Sequence, residues 1–351
     1  NGDDPEACVL LHRARALPPL LSLLSSNDVE LVVNATGAVQ RYTACRANAR
    51  SALRASTLPA LVKNLRHPDP DVLVRSLRAC INLAKFAKDD HEIQSQGALH
   101  AILDLVNHVN IQVSATAAEC VGESCVDAVG AAMLIERDGL QQLFALIRSN
   151  HKEAQVGAAC ALSRVLRHEA CLTAMDQHFS GGMHILVSLL YKPDPELQTA
   201  LCGVVANCAC RDHMLQVLTE EGVLQALASL TSTTNNNLRT TLALAVSRCC
   251  STETSRFYFA KLNGVTPLVS YLHSQDLDVV RSASTALNQL AKDANVSNLL
   301  LKAQIVPVLL ALCGSEDDDL QDEAAGTLAS IRRFHQSSRK SGKPKHHGLG
   351  S

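Results

Sequence analysis

Short apolar segments recur along the chain at a nearly constant spacing. Typical examples are LPPLLSLL (17–24), LPALVKNL (58–65) and VTPLVSYL (265–272). Eight such segments start at positions 17, 58, 99, 140, 183, 223, 265 and 305, which gives a period of about 41 residues. Eight copies at so regular a period indicate a repeat array rather than a set of unrelated domains.

Each apolar segment is followed by a polar loop and then by a longer amphipathic helix. In the loops HPDPDV (67–72) and KPDPEL (192–197), Asp69 and Asp194 suit a helix N-cap, and the Pro that follows suits the first helical turn. A shorter helix precedes each segment and usually ends at Gly, which fits a helix C-terminal cap. The pattern therefore predicts a unit of three helices.

A three-helix unit of about 40–47 residues has the size of an armadillo or HEAT repeat. One unit cannot bury both faces of its helices alone, whereas stacked units share a continuous core. We predict an all-α, armadillo-type, right-handed superhelical solenoid of about eight three-helix repeats over residues 1–334. Small residues such as Ala115, Ala158 and Ala325 are expected to let neighbouring helices approach closely.

The composition agrees with a folded helical protein and argues against several function classes. Of the 351 residues, 47% are hydrophobic and 3% are aromatic, Trp is absent, and the net charge is −2. This charge gives no basic field for nucleic acid or a membrane surface, so neither is predicted as a partner. The 13 cysteines have no framework spacing, which favours a reduced, intracellular protein. The opening residues NGDDPEAC contain no initiator Met, so we expect a segment of a longer protein.

No arrangement of side chains predicts catalysis, a metal site or a cofactor. Zinc sites need paired Cys or His ligands at short spacing, whereas Cys45, Cys125, Cys208 and Cys250 recur near the ends of third helices, which favours a packing role. Gly122–Val126 lacks the last Gly of a nucleophile elbow, and no GxGxxG or phosphate-binding loop occurs. We therefore predict that the protein is not an enzyme.

The third helix of each unit carries a polar residue at a recurring position. In an armadillo stack the third helices line the concave groove, so these residues form a predicted ladder. Asn and Arg side chains in such a row can hydrogen-bond an extended backbone and pair with carboxylates, although a solvated helix face explains the same pattern. The ladder residues are Arg41, Asn82, Glu123, Arg164, Asn207, Arg248, Asn288 and Ser330.

Residues 335–351 differ in composition from the repeats. They are polar and basic and contain no acidic residue, so we predict a disordered or extended tail. Its cations either keep the protein in solution or bind an acidic surface such as tubulin through salt-sensitive contacts. The cations in question are Arg339, Lys340, Lys343 and Lys345.

The last three units, at 230–250, 265–294 and 314–334, carry a more specific resemblance. Segments such as VTPLVSYLHSQDLDVVRSASTALNQLAKDA and GSEDDDLQDEAAGTLASIRRF resemble the C-terminal repeats of the armadillo family of the outer-dynein-arm docking complex in motile cilia. The resemblance implies a non-enzymatic scaffold in the cytoplasm and cytoskeleton, on the axonemal doublet microtubules of a cilium or flagellum. It implies docking-complex coiled-coil proteins and outer-arm dynein chains as partners.

Three alternatives stay open at this point. A general cytosolic armadillo adaptor would bind extended acidic peptides and would lose affinity when Arg41, Arg164 or Arg248 is changed to Glu. A different axonemal armadillo protein, such as one of the central apparatus, would share the fold but not the partners. A regulatory domain of an enzyme would have its catalytic part outside this sequence.

Overall fold

The computed structural model describes residues 5–86, 97–125, 127–178 and 180–341. Within these ranges every regular element is a helix. The chain divides into an amino-terminal unit, Asn1–Phe179, and a carboxy-terminal unit, Ser180–Ser351. Each unit is built from stacked helices.

The described part of the amino-terminal unit contains twelve α-helices. They are α1 (Pro5–Arg13), α2 (Leu17–Leu23), α3 (Val29–Tyr42), α4 (Arg46–Arg54), α5 (Thr57–Asn64), α6 (Pro70–Phe86), α7 (Ala98–Leu105), α8 (Ile111–Ser124), α9 (Ala128–Glu136), α10 (Gly139–Ile147), α11 (Lys152–Val165) and α12 (Glu169–His178). The third helices are α3, α6, α8 and α11. The helix predicted at 91–97 lies outside the described residues.

The described part of the carboxy-terminal unit begins with a 3₁₀ turn, Ser180–Gly182, and continues with eleven α-helices. They are α13 (Met183–Leu190), α14 (Pro195–Cys208), α15 (Asp212–Glu220), α16 (Val223–Leu230), α17 (Asn236–Cys249), α18 (Glu253–Lys261), α19 (Val265–Tyr271), α20 (Leu277–Leu290), α21 (Ala294–Lys302), α22 (Val306–Leu312) and α23 (Asp318–Ser341). The third helices are α14, α17, α20 and α23. Helix α23 continues past residue 334, where the tail was predicted to begin, and residues 342–351 lie outside the description.

An N-cap position recurs with the repeat at the start of each third helix, and at every one of them except His151 the side chain caps the helix. The Asp194 side chain accepts hydrogen bonds from the backbone N–H groups of Glu196 and Leu197, and Asp69 does the same at α6, so both predicted caps are confirmed. These bonds satisfy N–H groups that a helix start leaves unpaired. The eight capping positions recur at one constant step, apart from a slightly longer step between the fourth and the fifth: Asp28, Asp69, Asn110, His151, Asp194, Asn235, Asp276 and Asp317.

Consecutive third helices pack against each other through small residues. A Cβ atom added at Gly157 in α11 would lie 2.6 Å from the Ala115 carbonyl oxygen, and one at Gly122 in α8 would lie 2.7 Å from Ala161 Cα. No side chain fits at either point, so the backbones of α8 and α11 lie in direct contact. Ala158 is fully buried, as expected.

The expectation for Ala325 is wrong, because this side chain is exposed on α23. The equivalent residue in α20, eight positions after the cap, is Ser284, which is fully buried against the next repeat. Ala325 is exposed because no described helix follows α23 to cover it.

None of the described helices alone is long and apolar enough to cross a bilayer. One pair, α21 with α22, meets the length and composition criteria together but is bent by 95°.

The contact between α8 and α11 predicts the effect of Gly157→Ala. Alanine improves helix propensity by about 1 kcal/mol, but its Cβ overlaps the Ala115 backbone, and overpacking costs about 1–3 kcal/mol. Because the clash is with backbone rather than with a flexible side chain, we expect the free energy of unfolding in urea to fall by about 1–2 kcal/mol.

Gly37→Ala in α3 is the matched control for this experiment. A Cβ there would meet only the guanidinium end of Arg75, which can move away. This variant should be neutral or slightly stabilised. Equal stability of Gly157→Ala and wild type would contradict a backbone contact between α8 and α11.

Candidate protein-interaction surface

The capping residues give a common register for the predicted ladder. Seven of its eight members lie thirteen positions after the cap of their helix, for example Arg41 after Asp28 and Arg248 after Asn235. In α20, however, the residue thirteen positions after Asp276 is Gln289, and Asn288 lies one position earlier. The structure therefore places Gln289 at the equivalent position.

In the amino-terminal unit, the ladder residues bond to the neighbouring third helix. Asn82 Nδ2 donates to the Gln40 carbonyl at 3.0 Å and to Thr43 Oγ1 at 3.3 Å. Glu123 is only 7% exposed, and its Oε1 lies 3.0 Å from Arg164 Nη2 and 3.8 Å from Lys85 Nζ. Arg41, on α3, is exposed. The ladder positions thus join α3 to α6 and α8 to α11.

The carboxy-terminal unit has the same kind of bond. Arg248 Nη1 donates to the Ala206 carbonyl at 2.8 Å and to Asn207 Oδ1 at 3.1 Å, which joins α17 to α14. Gln289 Nε2 donates to the Cys250 carbonyl at 3.2 Å, just beyond the end of α17. Carbonyls in the last turn of a helix have no partner within the helix, so these side chains satisfy them.

Asn288 and Ser330 behave differently from the other predicted members. Asn288 Nδ2 donates to Glu323 Oε2 at 2.6 Å, so it bonds forward to α23 rather than back to α17. Ser330 lies on α23 at the common ladder position and is half-buried. Asn288 therefore helps to join α20 to α23, from a position one residue before the ladder position.

A second recurring position, four residues after the cap, escaped the sequence analysis. Gln155 Nε2 donates to the carbonyls of Ile147 and Ser149, and Gln198 Nε2 donates to those of Leu190 and Lys192. Both side chains therefore tie the polar loop to the start of the third helix. A recurring Gln at this position was visible in the sequence, but its donor role depends on the fold of the loop.

The face beside the ladder differs in charge between the two units. Residues four positions before a ladder residue lie about one turn earlier on the same helix face. In the amino-terminal unit these include Arg78, which is exposed, and Glu119, which lies 3.9 Å from Lys85 Nζ. In the carboxy-terminal unit they are uncharged: Gly203, Leu244, Thr285 and Gly326. Cations outnumber carboxylates on the amino-terminal face, and the carboxy-terminal face presents mainly small and amide side chains.

The buried cysteines do not form a reactive site. Burial raises the pKa of the Cys80 and Cys249 thiols to about 12 and that of Cys171 to about 11, so these groups stay protonated at neutral pH. Cys125, Cys208 and Cys250 are also buried, which fits the predicted packing role, and Cys45 is half-buried. No group of three His, Cys, Asp or Glu side chains in the described residues is arranged to hold a metal ion.

One open cavity of about 920 Å³ lies in the amino-terminal unit between α9, α10 and α12. Its lining includes Glu169 and His178, two side chains of the kinds that transfer protons in enzymes. They lie at opposite ends of α12, roughly 13 Å apart along its axis at 1.5 Å per residue. This separation is too long for a hydrogen bond, so the two groups form no acid–base dyad.

Comparison with known proteins agrees with this architecture. The armadillo/beta-catenin-like repeat family matches residues 6–44 and 295–333. An engineered protein of known structure, 24% identical in sequence, superposes with a TM-score of 0.75 over 92% of this chain and 81% of its own. A designed armadillo repeat protein, 20% identical, gives 0.57 over 66% of this chain and 99% of its own. The chain is an armadillo-repeat solenoid of about eight three-helix repeats, as predicted.

Curated proteins with similar sequences include an armadillo repeat protein of a fly and a docking-complex subunit from two mammals. Armadillo repeat-containing protein gudu of Drosophila melanogaster is 31% identical over 202 residues, which is 58% of this chain and 30% of that protein. Outer dynein arm-docking complex subunit 2 of Bos taurus is 33% identical over 105 residues, 30% of this chain and 10% of that protein. The mouse subunit is 30% identical over 88 residues, 25% of this chain and 8% of that protein. The chain thus spans less than a third of the length of these relatives.

The ion pair between the last two third helices predicts a pH-dependent stability. Arg281 Nη2 and Nε lie 2.6 and 3.0 Å from Asp317 Oδ2, and this pairing holds the pKa of the Asp317 carboxyl below its usual value. A carboxyl whose pKa is lower in the folded than in the unfolded protein, where it is about 4, stabilises the folded state above about pH 4. This stabilisation is lost as the pH falls through the lowered pKa. We expect Arg281→Met to lower the melting temperature at pH 7 and to match wild type near pH 2.

Asp278→Asn provides the control for this measurement. Asp278 also bonds Arg281, at 2.8 Å, but its side chain is 75% exposed, so its loss should change the melting temperature less. If Arg281→Met lowers the melting temperature equally at pH 7 and pH 2, then lost packing, and not the lost ion pair, is responsible.

Proposed function

We propose that the protein is a non-enzymatic scaffold that helps dock outer dynein arms on axonemal doublet microtubules. It does so by binding elongated partners, namely docking-complex coiled-coil proteins and outer-arm dynein chains. The observation that carries the proposal is the similarity to outer dynein arm-docking complex subunit 2, at 33% identity over 105 residues. Armadillo solenoids generally act as protein-binding scaffolds, which agrees with this role.

The ladder positions support binding through rigidity as well as through direct contact. Arg248 and Asn82 donate hydrogen bonds to backbone carbonyls of the neighbouring repeat, so these third helices keep a fixed spacing. Arg248 is half-buried, and its guanidinium carries five N–H donors, more than the bonds within the protein require. A rigid row of partly exposed donors binds an extended partner without a large ordering cost.

The charged face of the amino-terminal unit favours an acidic segment in that partner. Arg41 and Arg78 are exposed on α3 and α6, and Lys85 is 42% exposed beside Glu119 and Glu123. Cations in this arrangement attract carboxylates over several ångströms and speed encounter with an acidic surface. This face also supports the second candidate function, a cytosolic adaptor for acidic peptides.

The basic tail is proposed as an auxiliary contact. Arg339, Lys340, Lys343 and Lys345 would bind the acidic surface of tubulin while the repeats hold the docking partners. Such a contact would weaken as the ionic strength rises, because exposed charges are screened within about 8 Å at 0.15 M salt.

A binding experiment with axonemal proteins tests the proposal. The full chain is immobilised and exposed to a salt extract of motile-cilia axonemes, and the retained proteins are identified by mass spectrometry. We expect docking-complex coiled coils or outer-arm dynein chains to be retained. Arg41→Glu with Arg78→Glu should lower their retention about tenfold, since charge reversal at an interface costs on the order of 1–2 kcal/mol.

Two further variants complete the design. Arg50→Glu with Arg66→Glu makes the same change of charge at exposed residues outside the third helices and should retain the partners fully. Replacing the four tail cations with Gln isolates the tubulin contact. Retention of acidic cytosolic proteins without any docking-complex or dynein chain would favour the adaptor function instead.

A further inference from the structure

A groove in the carboxy-terminal unit lies between α18 and α21, the first helices of two consecutive repeats. Its volume is about 380 Å³. Neither helix carries a ladder residue, so the groove is separate from the surface described above. The lining residues are Phe257, Ala260, Lys261, Asn295, Asn298, Leu299 and Lys302.

Large apolar side chains are exposed along this groove. Phe257 and Tyr258 are each 40% exposed, and Leu299 is 37% exposed. Aromatic residues make up only 3% of the chain, yet two consecutive ones lie exposed on α18. Tyr258 does not line the groove, because its hydroxyl accepts a hydrogen bond from Gln225 Nε2 at 2.7 Å, on α16 of the preceding repeat. Phe257 does line it, and exposed aromatic side chains are enriched in protein interfaces.

The charges at the groove have one sign. Lys261 Nζ lies 4.5 Å from the centroid of the Phe257 ring, and Lys302 lines the groove from the last turn of α21. No carboxylate is among the lining residues, and the remaining polar groups are the amides of Asn295 and Asn298. Lysines at helix ends also interact favourably with the helix dipole. Here, however, two lysines lie beside exposed apolar side chains, and together they form a surface that is complementary to an apolar partner with carboxylates.

We propose that this groove binds an amphipathic helix of a partner protein, with an apolar face flanked by Asp and Glu. Apolar side chains of the partner pack on Phe257 and Leu299, and its carboxylates pair with Lys261 and Lys302. The first helices of two consecutive repeats form the groove that such a helix occupies, as in other helix-in-groove complexes. The carboxy-terminal unit thus has a second binding surface that does not depend on the ladder.

Three synthetic peptides of equal length, labelled with fluorescein, test the proposal by fluorescence anisotropy with the full chain. The first has Leu at helical spacing on one face and Glu on both flanks. The second has Lys in place of Glu, and the third has the composition of the first in scrambled order. We expect only the first to bind, with weaker binding at high salt. Equal binding of the scrambled peptide, or no binding of the first, would overturn the proposal.

Charge reversal then locates the site. Lys261→Glu with Lys302→Glu should weaken binding of the acidic peptide at least tenfold, and Phe257→Ser with Leu299→Ser should do the same without changing the charge. Arg54→Glu with Lys63→Glu, at exposed residues of the amino-terminal unit, is the matched control and should bind normally. Unchanged affinity in both groove variants would contradict the assignment.

Two measurements keep the interpretation clear. Circular dichroism and the melting temperature show whether each variant is folded, which is expected because the altered side chains are exposed. Sedimentation shows whether the groove binds a second copy of the chain; self-association lost in the groove variants would overturn the choice of partner. Loss of peptide binding in Arg41→Glu with Arg78→Glu, and not in the groove variants, would place the peptide on the amino-terminal face and would overturn the groove proposal.

Discussion

Within each unit, the direct contact between consecutive third helices is the constraint on which the rest of the structure depends. At Gly122 and Gly157 the backbones of α8 and α11 approach so closely that even a methyl group would overlap the neighbouring helix. Helices this close can stack in only one register, because a shift would drive larger side chains into the contact. Capping residues such as Asp28 and Asn110 start third helices at the same point and so preserve that register within each unit.

The same register explains why ladder residues bond repeats together and can also face a partner. A polar residue thirteen positions after the cap lies beside the last turn of the preceding third helix, where carbonyl groups lack partners. Asn82, Arg248 and Gln289 donate to such carbonyls, so they bond the repeats together. Polar rows in solenoids of this kind are therefore not evidence of a ligand by themselves. Binding to a partner depends on donors and charges that remain accessible, such as those of Arg78 and Lys85.

Much of the fold could be predicted from the sequence because the period of the apolar segments is set by helix geometry. The caps Asp69 and Asp194 were predictable, since their signal is local. The choice of Asn288 is one position out of register, since counting from Asp276 as Arg41 follows Asp28 gives Gln289. The groove at Phe257 and Leu299 was missed, because its residues come from two repeats and meet only after stacking.

The stability of Arg248→Met in urea tests most directly whether the ladder holds the repeats together. Methionine keeps an unbranched apolar stem but removes the bonds to Ala206 and Asn207. If the ladder bonds the repeats, the free energy of unfolding should fall by about 1–2 kcal/mol, while Arg167→Met, at an exposed arginine of the other unit, should stay within about 0.5 kcal/mol of wild type. An unchanged free energy of unfolding for Arg248→Met would contradict this role. The arginine would then serve only in binding a partner.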